Sequence, residues 1–287
     1  MKHPITIDGQ ERVIDIRAMD ENFIVYRKMY QAPLTRENIG KVNPWDWREH
    51  LEEFRAKGWQ KVIEDFFRQH IRAIGSCAVL AWDGDGVVGK MYFTTKEMWA
   101  AFRQTGAFMC VEHECMPKAI LTFTDEQLQA FFRSPSRTLR IACVNIGHSD
   151  ARYHGQGIAK AMIEFLKQWG QERGWHEIEG WSVPDVVPEA ALGGFILRRS
   201  TWERRGFHVK EETHTPVRDA EVRRDAIERI VSDRLWPPDH WYMKTGQRDI
   251  GRVRELARCT NWENECDRDY VMAFDLQARS PEERKTP

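Results

Sequence analysis

The 287-residue chain has few of the features that would staple, anchor or electrostatically bias it. Its six cysteines, at 77, 110, 115, 143, 259 and 266, are too few and too scattered for a disulfide framework. They read as free thiols of a reducing cytoplasm. No long hydrophobic run exists. The longest clean one, Cys77 to Trp82, is far too short to span a bilayer. Residues 1–10 hold no apolar stretch of the kind found in a secretory signal, so the expected location is cytoplasmic. Neither sign of charge is in excess. Lys+Arg 43 against Asp+Glu 44 leaves a net charge of -1, which removes the general electrostatic case for nucleic acid or an anionic membrane as partner.

What is present is a foldable chain. Hydrophobic residues make up 41% and charged residues 30%, which excludes a disordered or membrane-embedded class. The length suits about two domains, or one domain with large additions. Val13 to Met19 reads as a strand leading into a helix, Glu21 to Tyr30. Asn43-Pro44 opens a second helix carrying Trp47, Leu51 and Phe54. Helical spacing continues from Trp59 to Ile71 after Gly58. Cys77–Trp82 and Val87–Phe93 flank Asp83-Gly84-Asp85-Gly86 and form a hairpin. Residues 94–138 read as an insertion with one short helix, capped by Thr124 and Gln127 and stopped at Ser134-Pro135.

Leu139 to Ile146 is a strand. The best amphipathic helix comes next, with Ile158, Ala159, Ala161, Met162, Phe165, Leu166 and Trp169 on one face and Gly174 beyond its end. Glu177 to Val183 is the next strand, giving a βαβ-like order. A helix ends near Arg205-Gly206, and Phe207 to Glu212 is a strand. Beyond 213 come a charged helix over 218–235, a shorter one over 249–258, a strand over 270–276 and a polar tail.

The stretch that carries chemistry is Tyr153-His154-Gly155-Gln156-Gly157-Ile158-Ala159. Two glycines let a backbone turn its N–H groups inward, and a helix start adds the positive end of its dipole. Together these make a cradle for a pyrophosphate. A plain glycine turn entering a helix has the same letters. A Walker loop is excluded, because Ile158-Ala159-Lys160 stands where Gly-Lys-Ser/Thr is needed. A dinucleotide fingerprint is excluded by the missing third glycine and by the loop's place after at least three strands.

Here the sequence resembles the GCN5-related N-acetyltransferase superfamily, whose phosphate loop reads Gln/Arg-x-x-Gly-x-Gly/Ala. His154-Gly155-Gln156-Gly157-Ile158-Ala159 fits it with His in the first place, and the register Arg152-x-x-Gly155-x-Gly157 fits as well. Thr201-Trp202-Glu203-Arg204-Arg205-Gly206-Phe207 is similar to the family's aromatic-Glu-x-x-Gly-Phe segment, and Val88-Gly89-Lys90 to its early hairpin. The resemblance covers residues 13–214, with the insertion 94–138 inside it and a helical extension over 215–287.

It implies an α/β fold, a central mixed sheet flanked by helices and splayed between the strands 139–146 and 177–183. Acetyl-CoA is the implied co-substrate. Its pyrophosphate would meet Tyr153, His154, Gly155, Gln156, Gly157, Ile158 and Ala159, and its pantetheine the backbone of Cys143, Val144 and Asn145. An N–H near Val144 would serve the oxyanion. A small-molecule or peptide amine would attack the thioester directly.

Trp202 stands where the family carries a tyrosine acid, and an indole N–H is too weak an acid for that work. Base candidates are Glu179, Asp185, His148 and Asp150, each of which also reads as a solvated strand-end or loop residue. Cys110, His113 and Cys115 lack a second ligand pair, so no metal is expected. The rival readings are a catalytically silent CoA-binding module and an interaction protein acting through the 215–276 extension, for example as a homodimer contact.

Overall fold

A computed structural model describes residues 1–24, 56–105, 115–146, 150–188, 191, 197–215, 217–238, 243 and 247–277. The expected helix bearing Trp47, Leu51 and Phe54 lies outside them, as do Cys110, His113, His148 and the tail from 278. The chain divides into two compact units, Met1–Ile178 with Asp275–Pro287, and Glu179–Phe274. Residue 214 ends a strand inside the second unit.

The first unit opens with a hairpin, β1 (Lys2–Ile7) and β2 (Gln10–Ala18). Ile7 pairs with Gln10 across Asp8-Gly9, both at positive φ (53° and 76°). That is the two-residue turn whose twist matches its strands. The helix expected from Glu21 is a turn over its first residues. The Asp20 side chain takes the Asn22 N–H at 2.8 Å and the Asp20 carbonyl takes the Phe23 N–H at 3.3 Å. Residues 25–30 of that expected helix lie outside the described residues.

Helix α1 (Trp59–Ile74) comes next, bounded by Gly58 and Gly75, both left-handed. Strands β3 (Ala78–Asp83) and β4 (Gly86–Thr95) form the expected hairpin, and β5 (Thr138–Ile146) pairs antiparallel with β4. The order β1-β2-β3-β4-β5 is antiparallel throughout. Residues on β4 alternate between two covers. Tyr92 stacks on Phe67 of α1 at 5.5 Å, while Phe93 meets Trp169 of α5 (Ile158–Glu172) at 5.1 Å. Each face of the sheet is thus buried by its own helix, as the period of two requires.

The described residues of the segment 94–138 hold three helices rather than one: α2 (Lys96–Gln104), α3 (Cys115–Ile120) and α4 (Asp125–Arg133). Thr95 caps α2 by accepting the Met98 N–H at 3.1 Å, and Met98, Ala101 and Phe102 face inward. The Thr124–Gln127 capping box stands as expected.

The second unit contains most of β6 (Glu177–Val183), then β7 (Leu197–Arg198), α6 (Arg199–Glu203), β8 (His208–His214), α7 (Val217–Val231), α8 (Gln247–Cys259), α9 (Trp262–Glu265) and β9 (Arg268–Asp275). Its strands run β6-β9-β8, with β7 parallel to β6 and β8 antiparallel to β9. The fold is therefore a mixed α/β one, sheet flanked by helices. Val186, Ile227, Ile230, Ile250, Val253 and Cys266 make a core between α7 and α8. The Arg223–Asp269 pair, 2.9 Å apart and each side chain 3% exposed, ties α7 to β9.

Candidate functional site: a two-glycine loop at a helix start

Strand β5 leads to the loop and carries an irregularity of its own. Tyr92 pairs with Cys143 but Phe93 pairs with Ile141, so Ala142 is an extra residue without a partner on β4. A bulge of this kind bends a strand and re-aims the residues beyond it. Cys143, Val144 and Asn145 come directly after it and are buried. The Asn145 Oδ1 is a buried acceptor that no described group meets.

Past residue 149, the Asp150 carboxylate accepts the Arg152 N–H at 3.0 Å, and Ala151–Tyr153 makes one short 3₁₀ turn. Gly155 and Gly157 then take φ of 74° and 79°. Left-handed backbone is cheap only for glycine. Gly157 is the residue before α5, and no side chain caps that helix. The Ala161 N–H is the first to close on the helix, at 3.0 Å from the Gly157 carbonyl. The N–H groups of Ile158, Ala159 and Lys160 precede it, which is the arrangement that attracts anions.

The two glycines differ in surroundings. A Cβ on Gly155 would meet nothing within 4 Å, whereas one on Gly157 would lie 3.3 Å from the His3 Nε2. The open side of the turn is therefore at Gly155. The loop is fixed at several points. His154 Nε2 bonds the Ile146 carbonyl at 3.0 Å, closing the turn onto β5. His3 Nε2 donates to the Gln156 carbonyl at 2.9 Å. The Tyr153 hydroxyl donates to Asp83 at 2.7 Å, and burial, with that carboxylate beside it, pushes its pKa up to about 12. Arg152 joins Asp150 and Asp8, each at 2.6 Å, and its hydrogen bonds hold the Asp150 carboxyl below the usual range.

The remaining candidates fall in the second unit, apart from His148, which is outside the described residues. Glu179 is buried, and its Oε1 accepts from Lys210 at 2.8 Å. Lys210 is itself the skipped residue of the β8–β9 register. Asp185 accepts the Ser200 N–H at 3.0 Å and also binds the Ser200 hydroxyl and Arg252. Trp202 is 2% exposed, gives its indole N–H to the Trp181 carbonyl at 3.2 Å, and packs on Phe207. Its ring lies where a Cβ on Gly180 would come within 2.4 Å.

Residue reading missed His3, Asp8, Arg12 and Asp83 as supports of the loop. Their sequence signals were hairpin turns, Ile7-Asp8-Gly9-Gln10 for Asp8 and Asp83-Gly84-Asp85-Gly86 for Asp83, neither of which points to the loop. Among the described residues no group of three metal-ligating side chains gathers, and no helix is long and apolar enough to cross a membrane.

No family model and no curated protein matches the chain. Solved structures similar to it include the ribosomal-protein-S18-alanine N-acetyltransferase from Escherichia coli, at 8% identity and a TM-score of 0.35, covering 93% of this chain and 97% of that one. Arylalkylamine N-acetyltransferase 2 from Aedes aegypti gives 12% and 0.38, over 92% and 99%. An agmatine N-acetyltransferase mutant in its apo form gives 9% and 0.40, over 91% and 99%.

Proposed function

We propose that the chain is an acetyl-CoA-dependent N-acetyltransferase. The observation that carries the reading is the two-glycine, left-handed turn at the uncapped start of α5, set directly after the bulged strand β5. Backbone N–H groups from His154 to Ala159 would receive the pyrophosphate, and nothing there competes as a side-chain cap. The β5 backbone at Cys143, Val144 and Asn145 would run beside the pantetheine, with an N–H near Val144 as oxyanion donor. An amine acceptor would attack the thioester carbonyl directly, expelling the CoA thiolate, which solvent protonates.

The described side chains on offer as base are already engaged. Asp185 holds Ser200 and Arg252, and Glu179 holds Lys210. Trp202 gives its one N–H to a main-chain carbonyl and packs on Phe207, so it has no proton to offer. In this reading the acceptor enters as a neutral amine or loses its proton to water. Release of free CoA thiol on a panel of amines tests the reading. Acceptor-dependent release supports it. Tight acetyl-CoA binding with no release on any amine would instead favour the silent binding module.

A further inference from the structure

We propose that Asp83 is a positioning residue for this loop: with Arg12 and the Tyr153 hydroxyl it forms a brace that presets the two-glycine turn for a pyrophosphate, an inference that rests on assigning residues 154–159 to acetyl-CoA. Asp83 ends β3 at the hairpin turn, 70 residues before the loop. A single oxygen, Oδ2, accepts from the Tyr153 hydroxyl at 2.7 Å and from Arg12 Nη1 at 2.8 Å. Tyr153 is 6% exposed and is the last residue before His154 and the glycines. Its hydroxyl is thus spent on the brace and is not offered to a phosphate.

The need for a brace follows from the glycines. Residues free to take φ of either sign lose the most entropy when fixed. Unless something outside the loop holds the turn, binding must supply that ordering. The other bonds to residues 154–157 are neutral ones: His3 and His154 reach main-chain carbonyls at 2.9 and 3.0 Å, Gln156 Nε2 reaches the Arg152 carbonyl at 3.3 Å, and the Thr6 N–H reaches Gln156 Oε1 at 3.4 Å. The Asp83 bonds are shorter, and a carboxylate makes both of them charge-assisted. The phenol stays a donor across the working pH range, since burial and Asp83 keep it protonated.

The test uses the full chain as Asp83→Ala, Asp83→Asn, Tyr153→Phe and the double variant Asp83→Ala/Tyr153→Phe. Acetyl-CoA Kd is read by calorimetry, and amide hydrogen exchange over 154–160 is read without coenzyme. Asp83→Ala and Tyr153→Phe should each raise Kd about tenfold, the size of a lost charge-assisted bond. The double variant should be no worse than the weaker-binding single, because both break the same link. Asp83→Asn should stay within about threefold, since its amide oxygen still accepts both donors. For Asp83→Ala, KM for acetyl-CoA should rise while kcat at saturation holds, and exchange should quicken over 154–160 but not in α1.

Wild-type Kd and exchange in both single variants would overturn the brace, as would additive losses in the double. Should Asp83→Ala fail to fold, Tyr153→Phe carries the same comparison. Should the wild type bind no acetyl-CoA, the loop assignment fails and exchange alone decides: quicker exchange upholds the brace, unchanged exchange rejects it.

Discussion

Gly155 and Gly157 share a left-handed backbone but not an environment, and the difference predicts how each tolerates a side chain. Alanine at Gly155 meets only backbone strain, about 1–2 kcal/mol, because the space there is open. Alanine at Gly157 adds contact with the His3 ring at 3.3 Å, so it should lower Tm further than the same change at Gly155. Thermal unfolding of the two variants checks the order, and equal Tm values would contradict it. Trp202 gives a second test at this scale. Trp202→Ala leaves a void against Gly180 and Phe207 and should cost about 3–5 kcal/mol. Trp202→Phe loses the bond to the Trp181 carbonyl but keeps a ring, so it should cost less and retain much of the turnover. Urea unfolding of both, with turnover of the Phe variant, measures this. Equal losses would mean that the indole N–H, not the ring, matters. The two-glycine turn entering a helix was legible in the sequence. The Tyr153–Asp83–Arg12 link was not, because no local pattern joins residues 70 positions apart.

Helix α1 buries a histidine that the fold keeps neutral. His70 is fully buried, stacks on Phe132 at 4.6 Å, and has Thr94 Oγ1 at 3.3 Å from its Nε2. Burial lowers its pKa from 6.5 to about 3. The unfolded chain therefore binds a proton that the folded chain refuses between these values, and stability falls as pH drops below 6.5. The slope contributed by this one group approaches about 1.4 kcal/mol per pH unit. His70→Phe should flatten the pH dependence of unfolding between about pH 6.5 and 5, above the range of most carboxylates. Parallel curves for the two proteins would contradict the assignment. Elements with a strong local signal were readable: the Asp83–Gly86 hairpin, the Thr124 capping box, the amphipathic face of α5. Those overlooked had a weaker one. Pro4 interrupts the strand pattern of β1, and α2 continues from β4 with no break, Thr95 being both strand end and helix cap.

At the scale of the whole molecule, a five-stranded antiparallel sheet with a helix on each face carries the two-glycine loop, and a second unit has its own core. The order of strand, loop, helix and strand, with the resemblance it supports, made a mixed α/β chain legible. It did not show where the chain divides, because that depends on which distant residues meet, as Arg223 meets Asp269 inside the second unit. The proposed function stands on the turn at the start of α5 receiving the pyrophosphate of acetyl-CoA. The decisive measurement is calorimetric titration of acetyl-CoA into the wild type and into Gly157→Glu. One molecule should bind per wild-type chain, and none measurably to the variant, which should remain folded by circular dichroism. Unchanged affinity in Gly157→Glu, or no binding by the wild type, would contradict the assignment.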